Sequence, residues 1–147
     1  MENTASPTSS ARAVIDRLVA ATNDHNLDDL VGCFAPDYVN ETPAHPARGF
    51  NGREQVRRNW TQNFSAVPDL VAEVAASANG TGDDGTVWTE WQMSGNRSDG
   101  TQHLMRGVII FTVADERIAT ARFYLEPVET RSGDVDTAVA SQLAGRP

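Results

Sequence analysis

One cysteine, Cys33, stands in a chain of 147 residues. A lone thiol forms no intramolecular disulfide, builds no cysteine-based zinc site and supplies no CxxC redox pair, which fits a reducing compartment. No apolar stretch approaches the roughly 20 residues that cross a bilayer. The opening MENTASPTSS lacks the basic flank and apolar run of a signal peptide, so a cytoplasmic protein is expected. GxGxxG, P-loop, HExxH and GxSxG signatures are missing, which removes nucleotide, zinc-protease and α/β-hydrolase readings. Three scattered histidines make no metal site, and no cofactor is expected. Basic charge is also short: 12 basic residues face 20 acidic ones, a net charge of -8 that opposes binding to phosphate backbones. Neither nucleic acid nor a membrane is an expected partner.

The apolar periodicity is ordered. Ala11, Val14, Ile15, Leu18, Val19 and Thr22 recur at helical spacing and predict a helix over 10–22, with Ser9 or Ser10 as its N-cap and a disordered lead over 1–9. Leu27, Leu30, Val31 and Phe34 form the stripe of a second, short helix. A short strand ending at Pro43 follows, then the loop ETPAHPARGFNG, then a third helix over 53–66 with Val56, Trp60, Phe64 and Val67 on one side. From there the pattern changes to strands over 70–78, 86–94, 103–113 and 117–126, separated by turns. Helices first and an antiparallel meander after predict an α+β domain over 10–128, a curved sheet wrapped over about three N-terminal helices. Residues 129–147 form a polar tail that is either a short helix or loose.

Alternation in the last strand, RIATARFYLEP, separates two faces. If adjacent strands pair through tight turns, Thr89, Trp91, Met93, His103, Met105, Gly107, Ile109, Ala121, Phe123 and Leu125 share one face. Trp88, Glu90, Gln92, Arg106, Arg122, Tyr124 and Glu126 share the other. The first set is apolar with one histidine, so helices cover it and any cavity lies there. The second is a charged ladder, with Glu90, Arg106, Arg122 and Glu126 placed to pair across strands and form a homodimer surface. With the faces inverted, Arg122, Tyr124 and Glu126 become the candidate acid–base group.

The order of elements, with FAPDYVNETP, GREQV, PDL, WTEWQMSG and ERIATARFYLEP where they fall, resembles the nuclear transport factor 2-like (cystatin-like) superfamily and, within it, the SnoaL-like proteins. The resemblance covers about residues 10–128 and implies a cone-shaped α+β fold that hosts isomerases, polyketide cyclases, dehydratases, limonene epoxide hydrolases and non-catalytic binders. It places the last-strand aspartate of the cyclases and epoxide hydrolases at Phe123, and the middle-strand arginine and aspartate at Trp91 and Met93. All three positions are apolar here. The epoxide hydrolase's water-holding tyrosine and asparagine fall near Asn40 and Thr42, and the base of the ketosteroid isomerase branch falls near Glu41 or Thr42.

His103, on the cavity-side register, is the candidate acid or base, because an imidazole exchanges protons near neutral pH. Glu41, at the end of the early strand, is its candidate partner. Tyr38 and Asn40 are placed to hydrogen-bond a ligand oxygen. Trp60, Trp91, Met93, Met105 and Phe123 form the expected apolar wall. Gly107 marks either room for a ligand or a bend. Two readings remain open. One is a cofactor-independent enzyme doing acid–base chemistry, an isomerisation, cyclisation or dehydration, on a small apolar molecule such as a polyketide or terpenoid intermediate. The other is a non-catalytic dimeric protein that binds a small apolar ligand or is filled by its own side chains.

Overall fold

The computed structural model describes residues 7–80, 84–129 and 133–145, with helices first and a six-stranded sheet after them. Helix α1 spans Pro7–Asn23, so Ser9 and Ser10 are helical residues rather than its cap. Proline is tolerated in a first turn, where its missing N–H has no intrahelical partner to lose. The start of the expected lead, residues 1–6, lies outside the described residues. Ala11, Val14, Ile15, Leu18 and Thr22 of the predicted stripe are buried, Val19 is only partly so, and Ala21 joins the buried set. Helix α2 spans Leu27–Gly32, capped by the Asn26 side chain on the Asp29 N–H. Phe34 does not continue it. Ile118 donates its N–H to the Cys33 carbonyl and draws the chain into the sheet, so Phe34 opens strand β1, Phe34–Glu41.

After β1 the segment expected to be a loop contains one 3-10 turn, Pro46–Arg48, and a two-residue strand β2, Phe50–Asn51, too short for alternation to reveal. Helix α3, Arg53–Ala66, follows. The remaining strands are β3, Val71–Asn79; β4, Thr86–Asn96; β5, Gln102–Ala114; and β6, Arg117–Pro127. Helix α4, Val135–Leu143, lies in the polar tail. The sheet order is β2-β1-β6-β5-β4-β3, with β1 parallel to β6 and every other pair antiparallel. Pro36 has no N–H for the ladder, and the β1–β6 register slips between Phe34 and Val39.

Trp91 pairs with Gly107 and Gly107 with Leu125; Thr89 pairs with Ile109 and Ile109 with Phe123. These residues share the face on which α1 lies, and Val87, Thr89, Trp91, Met93, Ile109, Phe111 and Ala121 are buried there. On the outer face Trp88 is 50% and Tyr124 39% exposed. The division is the one that alternation predicts. At the free edge of β3, Asn23 accepts from the Ala72 N–H at 2.7 Å and donates to its carbonyl at 3.0 Å, while His25 bonds the Leu70 carbonyl at 2.8 Å. Side chains thus occupy part of an edge that would otherwise pair with another chain.

The β5–β6 turn puts Asp115 and Glu116 at φ 52° and 61°. Two consecutive left-handed residues match the twist of a tight hairpin, but a glutamate pays a steric cost there that glycine does not. Glu116→Gly is expected to stabilise the domain by about 0.5–1 kcal/mol and raise its melting temperature by roughly 2–4 °C. The Arg17 contact survives, since its guanidinium donates to the Glu116 backbone carbonyl. A thermal melt checks this, and a lower midpoint would contradict it.

Candidate functional site

Strand β1 directs Tyr38 and Asn40 to the inner face, where Asn40 stands beside Ala121. Tyr38 is 1% exposed, and Asn40 and Thr42 are each 8% exposed. The Tyr38 hydroxyl donates to Asn40 Oδ1 at 2.8 Å. Burial pushes the Tyr38 pKa upward, so the phenol stays neutral and cannot serve as an acid near neutral pH. Asn40 Nδ2 and Thr42 Oγ1 have no hydrogen-bond partner among the described residues, yet no fully buried side-chain nitrogen or oxygen there lacks one. Both atoms therefore reach accessible space, at the inner end of an otherwise apolar surface.

Apolar residues continue the inner face along β4, β5 and β6. Trp91 is 2% and Met93 7% exposed, so they belong to the packed floor. The Trp91 indole donates to Thr89 Oγ1 at 2.6 Å, and Thr89 in turn donates to the Ile109 carbonyl at 2.6 Å, so the floor leaves no polar atom stranded. Phe50, Trp60, Phe64, Met105, Phe123 and Leu125 are only partly buried and pack against the core. The inner face thus combines apolar side chains with two uncharged hydrogen-bonding groups on and just past β1.

A SnoaL-like domain signature matches residues 15–121, most of the chain. The protein belongs to the SnoaL-like family. Among solved structures it is similar to a putative isomerase from Bacillus subtilis, with TM-score 0.74, 16% identity, and 83% of this chain and 90% of that chain covered. It is also similar to a Mycobacterium tuberculosis protein in complex with estradiol-17beta-hemisuccinate, with TM-score 0.68, 19% identity and coverage of 82% and 94%. A third is a Mycobacterium tuberculosis epoxide hydrolase of the limonene epoxide hydrolase-like kind, with TM-score 0.67, 17% identity and coverage of 81% and 84%. Identities this low establish the fold. No curated protein matches the chain.

Within this SnoaL-like domain the polar residues that the sequence groups as one site do not converge. Glu41 stands opposite Arg122 on the outer face, 3.9 Å from its guanidinium, because it is one residue out of step with Tyr38 and Asn40. His103 keeps the inner register, opposite Gly95, but lies at the far end of β5. The Asn40 row continues through Ala121 to Phe111, eight residues along β5 from His103, or about 26 Å of strand. Glu41 is therefore not a partner for His103, and His103 does not share a reacting atom with Asn40.

The Arg97 guanidinium bonds His103 Nδ1 at 3.3 Å, so that nitrogen accepts and Nε2 carries the proton. Burial, and then the positive charge of Arg97, hold the His103 pKa below its ordinary 6.5. A depressed folded-state value means that the unfolded chain takes up the proton first. The associated stability is present above pH 6.5 and is lost as pH falls through the folded-state value. Arg97→Ala is expected to raise the NMR titration midpoint of His103 and to flatten this part of the pH–stability curve; an unchanged midpoint would contradict it.

Gly107 marks a bend. A Cβ there would lie 2.0 Å from the Tyr124 carbonyl oxygen, so the missing side chain leaves room for β6 and not for a ligand. The outer ladder also differs from expectation. Arg106 donates to Gln92 at 2.9 Å, Glu126 bonds His45 at 2.8 Å and Arg122 lies near Glu41, so three of the four expected partners are engaged elsewhere. A groove at α1 and α2 is lined by Arg17, Asp24, Asp28, Asp29 and Cys33 and includes none of the residues expected to form the site. Burial raises the Cys33 pKa, which leaves its thiol a poor nucleophile.

Sequence reading missed Phe50 as an inner-face residue, and it reached Thr42 only through the family resemblance. Thr42 continues the Tyr38, Asn40 alternation and could have been found by extending it one step past the strand. Phe50 sits in β2, which carries no sequence signal of its own.

Proposed function

We propose that the inner face forms a cleft between α3 and strands β5 and β6 that binds a small, mostly apolar molecule, with Asn40 and Thr42 holding its polar atom and Trp60, Met105, Phe123 and Leu125 covering its body. The observation that carries this reading is a pair of residues more than nine-tenths buried, whose free polar atoms face accessible space in apolar surroundings. A neighbour of the same fold was solved with a steroid ester, which supports an apolar ligand of that general size. Phe123→Asp, which puts a charge on the wall, is expected to weaken binding of an apolar dye such as 1-anilinonaphthalene-8-sulfonate by at least about tenfold, from lost contact and a desolvated carboxylate. Equal dye affinity in the two proteins would remove the cleft as the site.

Catalysis is the second reading, favoured by the neutral imidazole of His103 on the inner register. It requires a ligand long enough to place its reacting atom near Met105, since no carboxylate stands on the inner face of the described strands. The chain also has no lysine, so a Schiff base with a carbonyl substrate is not open to it.

The outer face supports a homodimer. Trp88 and Tyr124 give it exposed aromatic area, with Glu90, Arg106 and Arg122 around them. Aromatic centres within a polar rim are the usual anatomy of an interface. Sedimentation at micromolar concentration is expected to show a dimer that Trp88→Glu converts to monomer. A wild-type monomer would contradict it.

A further inference from the structure

We propose that α4 is an interface element: in the homodimer, α4 of each copy lies across the outer face of the other copy's sheet, with its apolar side over the partner's Trp88 and its N-terminal turn toward the partner's Arg122. The proposal rests on the homodimer reading of the outer face and names what covers that face.

Among the described residues, the large apolar side chains most open to solvent are Val71, Trp88, Tyr124, Val135, Val139 and Leu143. The first three stand on the outer face of the sheet and the last three on α4. A spacing of four residues puts Val135, Val139 and Leu143 along one side of the helix, with Ala138 beside them. Asp134 caps the helix, its side chain accepting from the Thr137 N–H at 2.8 Å. The local sequence thus specifies a helix with one apolar side, yet every residue of α4 is exposed. A helix of nine residues is too short to persist in water on its own propensity. What holds it is a surface for the apolar side to cover.

The outer face supplies that surface. Strand pairing sets Ala78, Trp88, Ile110 and Arg122 in one row across β3, β4, β5 and β6, with Val108 and Tyr124 in the next row. Four strands span about 14 Å between the outer two, and nine helical residues span about 13 Å, so helix and row match in length. Charge sets the direction. The segment over 133–145 carries Asp134 and Asp136 at its start and no basic residue, and Arg122 is the one cation in the two rows. The N-terminal turn therefore belongs over β6, which also keeps it away from Glu90 on β4. The occupant is a second copy because α4 leaves its own sheet uncovered: within one chain both Trp88 and the whole of α4 stay exposed. A two-fold axis then makes the same contact twice and buries both surfaces of both copies.

The test is sedimentation of the full chain at micromolar concentration. Val139→Asp puts a carboxylate in the middle of the apolar side and is expected to weaken the dimer at least about tenfold. Thr137→Glu adds the same charge on the opposite side of the helix and is expected to leave the dissociation constant within twofold. Both positions are exposed, so neither change disturbs the core. An equimolar mixture of Val139→Asp and Trp88→Glu separates a helix docked on the partner from one docked on its own chain. The first variant keeps an intact sheet face and the second an intact helix, so the mixture is expected to hold more dimer than either variant alone. A dimer as tight in Val139→Asp as in the wild type, or a mixture with no more dimer than its components, would overturn the proposal while leaving the outer face as an interface. A wild-type monomer would overturn the reading on which it rests.

Discussion

Gly107→Ala is expected to lower the melting temperature by about 12 °C or to prevent folding, a loss of about 4 kcal/mol or more. Strand β5 is 13 residues long and must bend to keep β4 and β6 paired along its length. Gly107 makes that bend at φ 152°, outside the range ordinary residues adopt, and an added Cβ would meet the Tyr124 carbonyl oxygen at 2.0 Å and Leu125 Cα at 2.8 Å. Both obstacles are backbone, so no rotamer relieves them. A thermal melt within 2 °C of wild type would mean that the strand bends by another route, and with it the position of Phe123 and Leu125 would need revision.

Trp91→Ala removes the largest fully buried side chain. Deleting a buried indole costs about 3–5 kcal/mol, from lost transfer energy and the cavity left behind. The remaining polar atoms are still paired, since Thr89 keeps its bond to the Ile109 carbonyl, so the loss is one of packing. A variant that folds at low temperature should have a deeper cleft, because Trp91 shares the floor with Met93 and Ile109. The melting midpoint is expected to fall by roughly 10 °C, while affinity for a bulky apolar dye holds or rises. A small loss of stability would mean that Trp91 is not the packed floor.

The fold was legible because its signals are periodic. Six buried positions on α1 and the strict alternation of β4 repeat often enough to fix element type and face. The site was less so, for reasons tied to single residues. Glu41 and Asn40 are neighbours in sequence, yet a period of two sends one to Arg122 on the outer face and the other to the inner face. His103 and Asn40 share a face, and only the register shows how much strand lies between them. The direction of the Tyr38 to Asn40 hydrogen bond, which decides what the amide can offer, has no sequence signature. Phe34 was read into α2 because its spacing suits a helix, whereas the pull of Ile118 on Cys33 is a contact across 85 residues.

The central claim is that an apolar molecule enters the cleft between α3 and strands β5 and β6. The chain's three methionines make this directly measurable: Met93 and Met105 flank the floor and wall, and Met1 stands apart in sequence at the chain start. With methyl-labelled methionine, addition of 1-anilinonaphthalene-8-sulfonate is expected to shift the Met105 resonance strongly and the Met93 resonance measurably. Saturating ligand that leaves both Met93 and Met105 in place would contradict the account.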